Sequence, residues 1–219
     1  MKALILVFSL LILALSAKAE SPEDYVRLLS DDELVSLMGS YPAKGSYEEF
    51  MDFATMMKLQ IKRTKAECEK AASDEDISIQ NLFGTPKGPL TKSEARWATA
   101  RLLIHMGESG ANILKAKSLF KRPRPYIRNP LIIPCISKES SYAYPSGHTA
   151  FARYLALALS RLHPEKAEAL MKRADEIAWG RVVGGVHHPT DIEAGKKLAD
   201  ELAAERLYSN EFELLLSEK

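Results

Sequence analysis

The 219 residues are 46% hydrophobic and 27% charged. That is enough apolar material for one domain with one sizeable core, and it excludes a disordered chain. A net charge of +1 gives no overall basic field for nucleic acid, so any anion chemistry has to come from local arrangement.

The chain opens with Met1-Lys2, an uncharged run from Ala3 to Ala17, then Ala17-Lys18-Ala19 and the acidic Glu20. A basic start, a short apolar run and an A-x-A site describe a secretory signal peptide over residues 1–19. The run is shorter than the roughly 20 apolar residues of a bilayer span, and no later stretch is long and apolar enough to span. A periplasmic or secreted chain without stable membrane insertion is therefore expected. Export would place Cys68 and Cys135 where a disulfide persists, although the sequence leaves open whether they pair.

Almost every later segment reads as helix. Tyr25 to Met38 and Tyr47 to about Ala72 fit helices. Residues 74–88, with Gly84, Pro86, Gly88 and Pro89, read as a loop or lid. Thr91-Lys92-Ser93-Glu94 is a capping-box pattern opening a helix to about Phe120, with a break near Gly107 to Gly110. Residues 122–145 are too rich in proline for a helix to run through. Phe151, Tyr154, Leu155, Ala158, Leu159 and Leu162 share one helical face. Pro164 suits a first helical turn ahead of Ala167, Leu170, Met171, Ala174 and Ala178. After Pro189, the residues Ile192, Gly195, Leu198, Ala199 and Leu202 align. Such segments joined by short loops predict an all-α, single-domain bundle.

Three clusters carry chemistry, each at the end of a predicted helix. Lys117 to Arg124-Pro125-Tyr126 presents cations at a helix-to-loop junction. Taken alone, this is more often a solvated face that complements the helix dipole. Pro145-Ser146-Gly147-His148 opens a helix with free N–H groups and a hydroxyl, an anion site by geometry and dipole. Alone it would more often be a simple serine cap. In the third cluster, Gly180-Arg181 precedes Gly184-Gly185 and His187-His188-Pro189-Thr190-Asp191. His187 and Asp191 are four apart and can share a face, so the carboxylate would fix one imidazole nitrogen and leave the other free to attack. A metal site built from His148, His187, His188 and Asp191 is the competing reading. Lys117, Arg122, Arg124 and Arg181 in the same pocket would oppose a dication and complement a phosphate. His105 and His163 lie outside any motif, and His105 reads as a packed or surface residue.

In this order and spacing, the three clusters resemble the signature of the phosphatidic acid phosphatase type 2 superfamily, Lys-x6-Arg-Pro, Pro-Ser-Gly-His and Ser-Arg-x5-His-x3-Asp. The exported form resembles the bacterial class A non-specific acid phosphatases, from about Gly45 to the C-terminus. This divides the chain into a signal peptide (1–19), an N-terminal extension (20–44) and an acid phosphatase domain (45–219). The fold implied is the helical bundle of the acid phosphatases and vanadium-dependent haloperoxidases. The resemblance implies His187 as the nucleophile that forms a phosphohistidine, Asp191 orienting it, and His148 as general acid and then base. Lys117, Arg124, Ser146, Gly147 and Arg181 would hold the phosphoryl oxygens, with no metal and no cofactor. Here Gly180 replaces the serine of the pattern. Lys115 with Arg122-Pro123 offers a second register, and Lys117 with Arg124 is preferred because Tyr126 follows as the aromatic does in the resembling enzymes. His188 lacks the three-residue gap to Asp191 and is the weaker nucleophile.

The expected substrate is a phosphate monoester, and self-association is left open. Competing readings are a lipid phosphate or isoprenoid diphosphate phosphatase at a membrane surface, a vanadate-dependent haloperoxidase, and a non-catalytic phospho-ligand binding protein. A protonated His148 and a neutral His187 predict a bell-shaped pH profile on the acidic side of neutrality.

Overall fold

The computed structural model describes residues 27–217, so the expected signal peptide and the first part of the extension lie outside the described residues. Eleven α-helices are described, with no strand among these residues. They are α1 Asp31–Met38, α2 Tyr47–Lys62, α3 Lys65–Ser73, α4 Ile79–Phe83, α5 Lys92–Arg101 and α6 Leu103–Phe120, then α7 Pro125–Arg128, α8 Gly147–Leu162, α9 Ala167–Val183, α10 Pro189–Arg206 and α11 Asn210–Ser217. A 3₁₀ turn, Pro164–Lys166, leads into α9.

The central element is α8. All six of its predicted core residues are buried, together with Ala150, Ala152 and Ala156. A helix apolar on most sides has to be enclosed on most sides, and α9, α10 and α6 enclose it. Ile192, Gly195, Leu198, Ala199 and Leu202 are buried on α10 as the spacing predicts. On α9, Leu170, Ala174 and Ala178 are buried. Leu29, Leu34 and Met38, from the described part of the expected extension, join this same core.

Four expectations change. The helix expected over Tyr25 to Met38 begins only at Asp31, where Ser30 caps α1 and forms a capping box with Glu33. The helix expected over Tyr47 to Ala72 is two helices, because Thr64 caps α3 and forms a capping box with Glu67. The break expected at Gly107 to Gly110 falls instead at Leu102, whose ψ of 8° separates α5 from α6. Leu102 is buried there while Leu103 and Ile104 are exposed, so the bend follows burial and not the glycines. Residues 74–88 contain the short helix α4, capped by Ser78. As expected, no helix runs through residues 122–145; the four-residue α7 begins on Pro125 itself, the first-turn position a proline tolerates.

The ends of α6 and α9 and the beginnings of α8 and α10 meet on one side of the bundle. Ser146 N–H donates to Asp191 C=O at 2.9 Å and so pins the two helix starts together. That approach requires Gly195, where a Cβ would lie 2.8 Å from the Ser146 carbonyl oxygen and 3.0 Å from Thr149 Cβ. The turn after α9 is held by Gly185 at φ +82°, a conformation that suits glycine. Behind it, Cys68 of α3 is disulfide-bonded to Cys135, which settles the pairing that the sequence left open. His105 is packed, its Nδ1 lying 3.1 Å from Tyr154 Oη.

Candidate active site

The three sequence clusters converge. His187 is fully buried at the turn between α9 and α10, where its N–H and that of Val186 both reach the Arg181 carbonyl. His187 Nδ1 lies 3.2 Å from Asp191 Oδ2. On the other side of the ring, Arg124 Nη1 lies 2.9 Å from His187 Nε2. A guanidinium only donates and an ionised carboxylate only accepts, so the network assigns the Nδ1–H tautomer and an Nε2 lone pair. Burial first, and then Arg124, hold the His187 pKa well below the ordinary imidazole value, so the ring is neutral.

Asp191 accepts from more partners than the sequence suggests. Besides His187, its Oδ2 receives the His188 backbone N–H at 2.8 Å and His188 Nδ1 at 3.0 Å. Its Oδ1 receives Arg122 Nη1 at 2.6 Å. Burial alone would raise the pKa of Asp191, but the histidines and Arg122 hold it well below the usual carboxylate range. Arg122 also binds Asp52 Oδ2 at 2.9 Å, and Asp52 receives Thr190 through both its N–H and its hydroxyl. His188 is thus the cap of α10 and lies edge-on to Phe53.

The structure also separates the two registers of the first cluster. Lys115 reaches away from the site to the Leu29 carbonyl, 2.7 Å away, and to Asp31. Lys117 is buried and donates to the Tyr142 carbonyl. A Cβ built on Gly147 would touch Lys117 Cε at 3.5 Å, so Lys117 lies directly against the start of α8. Burial first, and then the neighbouring Arg124, lower its pKa to about 8. Ser146 caps α8, its Oγ accepting from Thr149 Oγ1 at 2.9 Å and Thr149 N at 3.4 Å. His148 Nε2 lies 3.2 Å from the Glu75 carbonyl, which makes Nε2 the donor and turns Nδ1 toward the site. Burial, then Arg181, lower the His148 pKa to about 4.

One residue at the centre was not anticipated. Glu139 Oε2 accepts from Arg124 Nη2 at 2.5 Å, and Oε1 accepts from Arg181 Nη2 at 2.6 Å. His148 Nδ1 is 3.9 Å from the same Oε1. Burial would raise the Glu139 pKa, but the guanidiniums of Arg124 and Arg181 outweigh it and hold the pKa at about 2. Arg181 is 1% exposed, and its Nε and Nη1 are buried with no hydrogen-bond partner. The available signal was that Glu139 is the sole acid between Arg122 and Pro145. The supporting roles of Arg122, Asp52 and Thr190 had no comparable signal. Among the described residues, no three His, Cys, Asp or Glu side chains are grouped to hold a metal ion, and no helix is long and apolar enough to cross a membrane.

The family model for the PAP2 superfamily matches residues 98–199, which hold all three clusters. A non-specific acid phosphatase of Providencia stuartii is 31% identical over 187 residues, covering 80% of this chain and 74% of the relative. The chain belongs to the PAP2 superfamily. Non-specific acid phosphatases of Salmonella typhi and Salmonella typhimurium are 34% and 33% identical over 141 residues, and the chain spans 55% of the length of each. Two solved structures share the PAP2 fold. A transmembrane PAP2-type phosphatidylglycerolphosphate phosphatase from Bacillus subtilis has a TM-score of 0.54 at 18% identity, over 78% of this chain and 88% of that one. A bacterial vanadium-dependent iodoperoxidase has a TM-score of 0.55 at 16% identity, over 87% of this chain and 57% of that one.

Proposed function

We propose that this PAP2 chain is an exported acid phosphatase that hydrolyses phosphate monoesters through a phosphohistidine on His187, without a metal. The observation that carries this reading is the placement of Lys117, Arg124 and Arg181 around one point beside His187 Nε2, with Asp191 on the opposite ring nitrogen. Phosphoryl transfer mainly requires positioning and preorganised positive charge. The two unpartnered nitrogens of Arg181 are the donors that phosphoryl oxygens would satisfy, together with the free N–H groups at the start of α8.

In the first step the His187 Nε2 lone pair forms a bond to phosphorus while the ester P–O bond breaks. With the phosphate dianion bound beside it, which favours the imidazolium, His148 donates a proton from Nδ1 to the departing alkoxide. Asp191 stabilises the charge that develops on the His187 ring. In the second step His148, now neutral, takes a proton from water as the water oxygen attacks phosphorus and the N–P bond breaks. Each step moves one proton through one nitrogen of His148, whose other nitrogen is held by the Glu75 carbonyl. The names of the Salmonella and Providencia relatives support the substrate class. The leader pattern and the Cys68–Cys135 disulfide support export to a periplasmic or extracellular setting.

The test is hydrolysis of an aryl phosphate in excess EDTA near pH 6, with wild type beside His187→Ala. Turnover by wild type alone, with acid-labile phosphate trapped on the protein after a rapid quench, is the expected result. Turnover that vanishes in EDTA and returns with zinc would refute the mechanism.

A further inference from the structure

Glu139 occupies the place where the proposed reaction requires a phosphoryl group. Its two carboxylate oxygens bridge Arg124 and Arg181, and the oxygen on Arg181 also faces His148 Nδ1. Its backbone is fixed independently of that bridge. Tyr126 Oη donates to the Glu139 carbonyl at 2.7 Å, and Ser137 N–H binds Glu75 Oε1 at 2.8 Å. Cys135 is held by the disulfide and by the Gly184 carbonyl. The side chain can therefore leave the arginines while its loop stays in place. It is 27% exposed, against 3% for Arg124 and 1% for Arg181, so it covers the cations from the solvent side.

We infer that Glu139 is an internal competing anion, which fills the phosphoryl site when it is empty, is displaced by substrate, and returns as inorganic phosphate leaves. This rests on the reading of the site as a phosphatase centre. Two physical points favour exchange over a permanent ion pair. One carboxylate faces three cations, Lys117, Arg124 and Arg181, and leaves Arg181 Nε and Nη1 without partners. A phosphate dianion brings more charge and a third terminal oxygen to the same donors. Arg124 meanwhile caps the His187 lone pair, so the resting arrangement holds both the anion site and the nucleophile closed. A site that is open only part of the time binds every anion more weakly by that open fraction. The consequence is weaker retention of the product, and product release often limits turnover.

The experiment measures the Kd of inorganic phosphate by calorimetry for wild type and Glu139→Gln, alongside aryl phosphate kinetics and thermal unfolding with and without phosphate. The amide keeps the shape and loses the charge. The expected result is at least tenfold tighter phosphate binding, a matching fall in the phosphate inhibition constant, and a larger rise in Tm on adding phosphate than wild type shows. A residue with a purely structural role would lower Tm without tightening phosphate binding, and that result would overturn the inference while leaving the phosphatase reading intact. If wild type neither binds phosphate nor turns over aryl phosphate, both readings fall. Should Glu139→Gln not fold, Glu139→Asp carries the test, because a shorter acid retreats from the arginines. Its phosphate Kd should lie below that of wild type, and an unchanged value counts against displacement.

Discussion

Arg124 Nη1 lies 2.9 Å from His187 Nε2, while Asp191 Oδ2 lies 3.2 Å from the other ring nitrogen. The ring is held from both sides, in one tautomer and one orientation, before any substrate arrives. The two contacts differ in kind. The aspartate contact can persist through the reaction, but the arginine contact has to give way, because the lone pair it covers is the one that would reach phosphorus.

Asp191→Asn tests the persistent contact. An amide can present either a donor or an acceptor, so the Nδ1–H tautomer is no longer enforced, and the imidazolium loses its counter-charge. A fall in kcat of about 10³- to 10⁴-fold is expected, by analogy with other buried aspartate–histidine pairs, with KM for an aryl phosphate changed far less. Steady-state kinetics, with the fold checked by circular dichroism, would show it. A mutant with near-normal kcat would remove Asp191 from the mechanism.

Lys115 and Lys117 make a paired test of the first motif. Lys115 is spent on the Leu29 carbonyl and Asp31, so Lys115→Ala should leave kcat/KM within about twofold, as surface changes commonly do. Lys117→Ala removes a buried cation from the anion site and should cost about 10²-fold or more, as loss of a preorganised oxyanion donor does. Reversed effects would show that the register had been assigned to the wrong lysine.

Two buried neutral histidines make stability depend on pH. Burial, then Arg181, lower His148 to about 4, and burial first, then Arg124, lower His187 in the same direction. An imidazole that is harder to protonate in the folded chain stabilises that chain fully above its ordinary value of 6.5. The contribution is lost as pH falls from there through the folded value. Glu139, held at about 2 against an ordinary 4.5, adds a further loss between those two values. Urea midpoints should therefore fall from pH 6.5 to 4 and again toward pH 2. Saturating phosphate should blunt the first decline, because a bound dianion favours protonated His148. A flat midpoint between pH 7 and 4 would contradict the burial of neutral rings.

The candidate site was legible in the sequence because its parts are local motifs. His187 and Asp191 lie one helical turn apart, and Ser146 begins a helix whose apolar period is plain. The fold was legible for the same reason in α8 and α10, where spacing alone marks the buried face. What escaped was of two kinds. The split at Thr64 was written in the sequence, since Thr64 and Glu67 repeat the pattern recognised at Thr91 and Glu94, but good helix formers, Lys65, Ala66, Glu67 and Glu69, continue past it. The ion pairs of Arg122 with Asp52 and of Arg181 with Glu139 join residues 70 and 42 positions apart. No periodicity encodes such contacts; they exist only once the helices have packed.

The disulfide joins α3 to the loop that carries Glu139. Closing a loop across 67 residues contributes about 4 kcal/mol in the chain-entropy account. Cys68→Ala/Cys135→Ala should unfold at correspondingly lower urea, and wild type in reductant should match it. If reductant leaves the urea midpoint of wild type unchanged, the bond contributes nothing to stability.

Gly180 stands where the family pattern has serine, and its surroundings decide what that exchange means. A Cβ at Gly180 would meet Ala71 Cβ at 3.6 Å and Ala71 Cα at 3.7 Å, ordinary contacts with α3. The helix leaves room for a side chain there, and glycine within a helix costs roughly 0.5–1 kcal/mol relative to alanine, with serine between the two. Gly180→Ser should thus raise the urea midpoint slightly and leave kcat and the phosphate inhibition constant within about twofold, as for a substitution outside the site. A large gain in kcat would mean that the hydroxyl reaches the phosphoryl group through a shift of α9 toward the anion site. Stability and turnover measured on the same variant separate the two outcomes, because contact with Ala71 can change only the first.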